Sequence, residues 1–416
     1  MNFVFKNGDL IDGTGKMVKD AVVVVHGDTI LASGPSTEIH IPEGENQYID
    51  AQGMTILPGL IDLHVHLHGQ GEAQEHVRDR LLSETDAYQA VILSENARRT
   101  LEAGFTTIRD MGAPKDINID LSRSVMDGIL PGPRIIPVAT IGMTRLPGDY
   151  DVHGTRGAVT GAIEARKMAR EKIAAGAEVV HVKATGAAYG QLGPLVLDLS
   201  VEEMQAAIEE THKLEKLSTA HACGAEGMKN AVIAGTMCIE HGQWLYDDDE
   251  LIRMMVDRQI GWVPTLMNNP AKMDKMREAE TRGERSGLAE YVEKRISAMI
   301  EAHRRSYETA MENGVMVALG SDCGAPFTPN GTNAKEMEMF VKYGATEMQA
   351  IEAGTRLAAR VLQMEDRLGT VEDGKEADII VMSKNPLKDI LYLQKKENIV
   401  LIMKGGKIMI DRRKKS

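Results

Sequence analysis

Residues 54–69 read MTILPGLIDLHVHLHG, and an apolar run within them ends in His64-Val65-His66. Side chains two apart on a β-strand leave the same face. Read as a strand, the stretch projects two imidazoles to one side at its C-terminal end. Neutral imidazole is the commonest protein ligand for zinc-like ions, so the pair makes half a metal site. An isolated H-x-H is better read as two ordinary polar residues at a strand end. The chain downstream decides between the two.

From residue 56 to residue 365 apolar strand candidates alternate with helical stretches. The candidates are ILPGLIDLHVH (56–66), FTTIRDM (105–111), RIIPVAT (134–140), EVVHVKATG (178–186), STAHAC (218–223), TMCIEHG (236–242), IGWVPTL (260–266) and VMVALGSD (315–322). Helical stretches such as 201–217 and 287–314 separate them. Ala103-Gly104, Ala175-Gly176, Ala234-Gly235 and Asn313-Gly314 each precede a strand, and glycine commonly ends a helix. Eight β candidates in such alternation predict an α/β fold, the (β/α)8 TIM barrel. The competitor is a doubly wound open sheet. No G-x-G-x-x-G follows the first strand of the alternation, so a dinucleotide site has no support.

Both chain ends read as β-structure. NFVFK (2–6), AVVVVH (21–26) and TILAS (29–33) are punctuated by Asn7-Gly8, Asp12-Gly13 and Gly27-Asp28. ADIIVMS (377–383) and NIVLIMKGGKIMI (398–410) follow the helical region, with Gly405-Gly406 as a turn. A strand-rich terminus alone would leave unpaired edges, which proteins usually cover. The expectation is a small β-sandwich domain built from residues 1–55 and 366–416, beside a barrel catalytic domain over 56–365.

The bulk numbers agree. The chain has 416 residues, 43% hydrophobic and 26% charged, as in an ordinary globular protein large enough for more than one core. Its net charge of −13 is spread along the sequence, which argues against nucleic acid or anionic membranes as partners. Cys223, Cys238 and Cys323 make no disulfide framework and fit a reducing, cytoplasmic setting. The first residues, MNFVFKNGDLIDG, lack the features of a signal peptide, and no apolar run reaches the ~18 residues of a membrane span.

In a barrel the reacting groups sit at the C-terminal ends of the strands. There this sequence places His64 and His66 on the first strand, Lys183 on the fourth, His221 on the fifth, His241 on the sixth and Asp322 on the eighth. His221 and His241, each alone, fit satisfied polar residues equally well, and Asp322 fits an Asx turn. Lys183 is the most informative, because an inward lysine in an apolar strand is costly unless paired or chemically altered.

Taken together, LPGLIDLHVH, GFTTIRDMG, VKATG, TAHACG, IEHG, LGSD and GTVEDGKEADIIV resemble the amidohydrolase superfamily over nearly the whole chain. The likeness is to its metal-dependent branch of Xaa-Pro dipeptidases and ochratoxinase-like amidases. The resemblance implies two divalent cations, zinc by expectation. His64 and His66 would hold the more buried one, and His221 and His241 the other. Lys183, carboxylated by CO2, would bridge both, and Asp322 would complete the first. It also implies a homo-oligomer. Two positions depart from these relatives and bear on the substrate pocket. Cys223 stands where an aromatic residue often follows the His-Ala of the fifth strand, and GMTRLPGDYDVHG (142–154) replaces a Gly-Gly-His stretch.

The chemistry so implied is hydrolysis of a small-molecule amide, such as a dipeptide or N-acyl amino acid. A hydroxide bridging the cations would attack the carbonyl, with Asp322 as general base and then acid. Alternatives are a cyclic amide, carbamate or ester hydrolase. Deaminases of the superfamily usually use one metal and lack the lysine, so Lys183 disfavours them. A non-catalytic metal-binding protein is disfavoured by Asp322, since structural sites close their coordination. Substrate contacts are expected from Arg145, His153 and Tyr189, in loops after the third and fourth strands; an arginine there would grip a carboxylate bidentately. The remaining polar residues read as structural. His68 is a solvated loop residue, His181 is packed below Lys183, and Arg109-Asp110 is an ion pair or turn. Residues 272–287 read by default as a solvated helix and turn, with a mobile lid as the alternative, and Asp247–Asp249 cap the helix that follows them.

Overall fold

The protein is described by a computed structural model over residues 1–72, 83–143, 158–187, 193–282 and 289–413. The stretch that opens the barrel belongs to two sheets. Strands β1 (Asn2–Ile11), β2 (Met17–His26), β3 (Thr29–Pro35), β4 (Asn46–Asp50) and β5 (Thr55–Pro58) lie in one sheet, and β6 (Leu60–Val65) starts another. The change falls at Gly59, where an added Cβ would sit 2.1 Å from Thr106 Oγ1. Only glycine allows so close an approach between backbone and side chain.

The second sheet is the barrel. After β6 come β7 (Phe105–Asp110), β8 (Arg134–Met143) with the two-residue β9 (Ala158–Val159) on its edge, β10 (Val179–Lys183), β11 (Leu217–Ala222), β12 (Cys238–His241), β13 (Gly261–Val263) and β14 (Met316–Val317). All of these strands run parallel, and along the eight other than β9 spatial order follows chain order from β6 to β14. The segment after β14 then bonds back to β6. The N–H of Leu63 reaches Leu319 O (2.9 Å), that of Asp322 reaches His64 O (2.7 Å) and that of His66 reaches Cys323 O (2.7 Å). The sheet thus closes on itself, which excludes the doubly wound alternative, whose strand order reverses at its centre. The outer helices are amphipathic. Val201–Lys213 starts in a Ser200/Glu203 capping box and buries Met204, Ala207, Ile208 and Thr211, the three-and-four spacing of one helix face.

The strands β15 (Ile379–Met382), β16 (Ile399–Lys404) and β17 (Lys407–Asp411) join the first sheet, in the order β17-β16-β15-β5-β1-β2-β3 with β4 beside β1. The chain ends meet, as their unpaired edges require. Ile379 and Val381 pack with Phe5, Val23 and Leu401, while Ile380 and Met382 pack into the large core shared with the barrel. A strand buried on both faces explains why ADIIVM is apolar without alternation. Two details differ from the sequence reading. Asn7-Gly8 does not end a strand; β1 runs through it as a bulge with Asn7 at φ 64. The strand β4 is largely polar and exposed, so it carries no apolar signal. Among the described residues no helix is long and apolar enough to cross a membrane.

Candidate active site

The register between β6 and β7 slips between Asp62 and Val65, and such irregularities re-aim side chains near active sites. His64 and His66 leave β6 here. Asp322 meets them from beyond β14, its Oδ1 3.4 Å from His66 Nε2 and 3.7 Å from His64 Nε2. Donor atoms of these three residues all lie within 4.8 Å of one another. Donors held ~2 Å from one ion stand within about 4 Å of each other, so the group fits a single cation with little movement.

The second group adjoins the first. The His241 ring centroid lies 4.9 Å from that of His64 and 4.5 Å from that of His221. Lys183 pairs with His221 across β10 and β11, and its ammonium charge reaches both His66 and His221, lowering their basicity. The six side chains named from the sequence therefore converge on one barrel mouth. The backbone is strained there. His241, Thr265 and Asp322 have φ of 71°, 56° and 55°, a left-handed conformation that persists in such residues only where surroundings enforce it. For His241 those surroundings are Trp262 Nε1 and His303 Nε2, which donate to its carbonyl oxygen at 3.0 and 2.9 Å.

Hydrogen bonds settle which ring nitrogens are offered. His64 Nδ1 donates to Glu240 Oε2 (2.8 Å), leaving the lone pair on Nε2. His221 Nε2 lies 3.2 Å from Gly186 O; a carbonyl only accepts, so Nδ1 carries the lone pair. His241 Nδ1 contacts Thr265 Oγ1 at 2.9 Å. Burial holds His66 and His241 well below the usual histidine range and pushes His221 down to about 3. These rings are neutral at neutral pH, the form a metal requires. His64 goes the other way. Burial lowers it, but the hydrogen bond to Glu240 and the charge of Asp322 outweigh burial and raise it. Carboxylates that favour a proton at this point favour a cation as well.

Several partners escaped the sequence reading. Glu240 is fully buried and also bonds Arg109 and the Thr219 hydroxyl. Arg109 is indeed in a structural ion pair, but with Glu240 rather than with Asp110, and it donates to Leu63 O at 2.6 Å. His68 is buried, not solvated, with Nδ1 3.1 Å from Gly112 O. Lys272, read as part of a solvated run, is 4% exposed and bonds Asn268. His181 is packed beside His221, as expected, at 6.2 Å between rings. Asp248 caps the helix Asp249–Asp257. Arg145, His153 and Tyr189 lie outside the described residues.

A carboxylate behind a metal-facing histidine fixes ring orientation and raises basicity, and its loss typically lowers metal affinity 10–100-fold. Glu240→Gln is expected to weaken metal binding by about that factor in chelator competition. It also strands the buried Arg109 cation, so the melting temperature should fall. Affinity within twofold of wild type would separate Glu240 from the site.

A model of the amidohydrolase family matches residues 55–409. The chain belongs to the amidohydrolase family. It is a hydrolase acting on amide C–N bonds. Ochratoxinase from Aspergillus niger is 27% identical over 431 aligned positions, covering 96% of this chain and 85% of its own. The crystal structure of A. niger ochratoxinase superposes with a TM-score of 0.85 at 25% identity, covering 99% of this chain and 96% of that one. A Xaa-Pro dipeptidase with methionine bound in its active site superposes with a TM-score of 0.83 at 29% identity, covering 98% and 99%.

Proposed function

We propose that the protein is a binuclear metal-dependent amidase, cleaving the peptide-like bond of a small substrate such as a dipeptide or N-acyl amino acid. The observation that carries this reading is the juxtaposition of two donor groups. His64, His66 and Asp322 form one, His221 and His241 adjoin it, and Lys183 lies beside both. Divalent cations bound there would supply water acidified from a pKa of about 15.7 toward 7 and a Lewis acid for the carbonyl. His64 and His66 would hold one cation through neutral imidazole, and His221 and His241 the other. Lys183 would bridge them as a carbamate. Zinc is among the metals that imidazole suits and is the one proposed here.

The protein's own groups then move the proton. Asp322 accepts it from the attacking water at Oδ1, the oxygen turned toward the imidazole nitrogens, and returns it to the leaving nitrogen. Base and then acid catalysis of this kind contributes about 10²–10⁴-fold. Substrate is proposed to be gripped by the loops that carry Arg145, His153 and Tyr189. A dipeptide or N-acyl amino acid carries a free carboxylate, which is the group Arg145 would pair.

Metal analysis with an amide panel tests the reading. About two cations per chain, with turnover of dipeptides or N-acyl amino acids, is the expected result. Metal without turnover of any amide would favour a non-catalytic role. Turnover confined to cyclic amides, carbamates or esters would reassign the substrate class.

A further inference from the structure

The segment after β13 touches both halves of the site. Thr265 meets His241, and three residues later Asn268 Nδ2 donates to Asp322 Oδ2 at 2.8 Å. Asn268 opens the helix Asn268–Thr281, one turn before Lys272. Lys272 Nζ donates to Asn268 Oδ1, and both residues are about 4% exposed. A carboxylate only accepts, so Asn268 must turn its NH2 to Asp322, which leaves its oxygen to accept from Lys272. The segment is itself clamped. Glu336, fully buried, accepts the N–H groups of Leu266 and Met267 at 2.7 and 2.8 Å.

We infer that Asn268 is the positioning residue for the Asp322 carboxylate, with Lys272 fixing the sense of its amide. Oδ2 is tied to Asn268, so Oδ1 is the oxygen left to face His64 and His66. A carboxylate without that tie rotates about its terminal torsion, which is broad and roughly two-fold. A base must keep its accepting oxygen within hydrogen-bond reach of the proton it takes. Charge alone would not call for this arrangement. Lys272 adjoins Asp322 through an amide whose direction it controls, and the Glu336 clamp holds that amide in place. The inference rests on the proposed role of Asp322 in catalysis.

The test uses the full chain loaded with cobalt, whose visible absorption reports ligand geometry, alongside steady-state kinetics. Asn268→Leu should keep both cations and a KM within twofold, lower kcat about tenfold (~1.4 kcal/mol), and alter the cobalt spectrum. Lys272→Met should do the same more weakly, and Lys272→Gln, which restores an N–H donor, should recover part of the loss. Combined with Asp322→Asn, the Asn268→Leu change should cost less than a further twofold, because groups acting as a unit are not additive. A cobalt spectrum superimposable on wild type in both Asn268→Leu and Lys272→Met would overturn the inference. So would a full tenfold penalty persisting in the Asp322→Asn background. Wild-type turnover in Asp322→Asn alone would instead sink the catalytic role of Asp322, and the cobalt spectra would still report on positioning.

Discussion

Asp322→Asn is expected to retain about two cations per chain while kcat falls roughly a thousandfold or more, with a smaller change in KM. Asparagine keeps the shape of the side chain and an oxygen to offer a cation. It cannot take up a proton. General base and acid action accounts for about 10²–10⁴-fold in rate, and here one carboxylate serves both steps, so the upper part of that range applies. Burial raises the Asp322 carboxyl above its usual range, opposed by the neighbouring charges of His64 and Lys272. Metal content by elemental analysis and kcat on the best amide of the panel check it. Near-normal turnover would remove Asp322 from the proton path.

The second large effect is expected at Lys183. As an ammonium this side chain already disfavours a proton on His66 and on His221. It would disfavour divalent cations beside those rings more strongly, since the Coulomb energy scales with charge. Carboxylation reverses the sign and makes the side chain a bridging ligand. Lys183→Ala should therefore bind well under two cations per chain and lose most of its activity. Formate, acetate or propionate, entering the space left by the side chain, should restore part of both. Full activity with two cations in Lys183→Ala would rule out the bridge.

The residues gathered at the barrel mouth were legible because a barrel writes them into one dimension. Each strand is an apolar run, and its last inward residue faces the mouth, so His64, His66, Lys183, His221, His241 and Asp322 each appear where an apolar run ends. His68 breaks that rule. It lies past the strand end yet is buried by the segment carrying Gly112, and no local pattern records that covering. Glu240 is equally hidden. It stands next to His241 in IEHG, but its contact is with His64, 176 residues away. Lys272 sits in a polar run whose spacing reads as a solvated helix, and only its packing beside Asn268 and Asp322 buries it.

The order of residues alone specified the alternation, the closing of the chain ends on each other and the residue types at the strand ends. These follow from side-chain periods of two and of 3.6, which are local properties of a backbone. Which partner each imidazole has, which nitrogen it offers and which oxygen of Asp322 faces inward were decided by the closed barrel. Those choices depend on contacts between strands and loops far apart in the chain, such as Glu240 with His64 and Asn268 with Asp322. No periodicity encodes a contact of that kind; it exists only once the eighth strand has closed against the first.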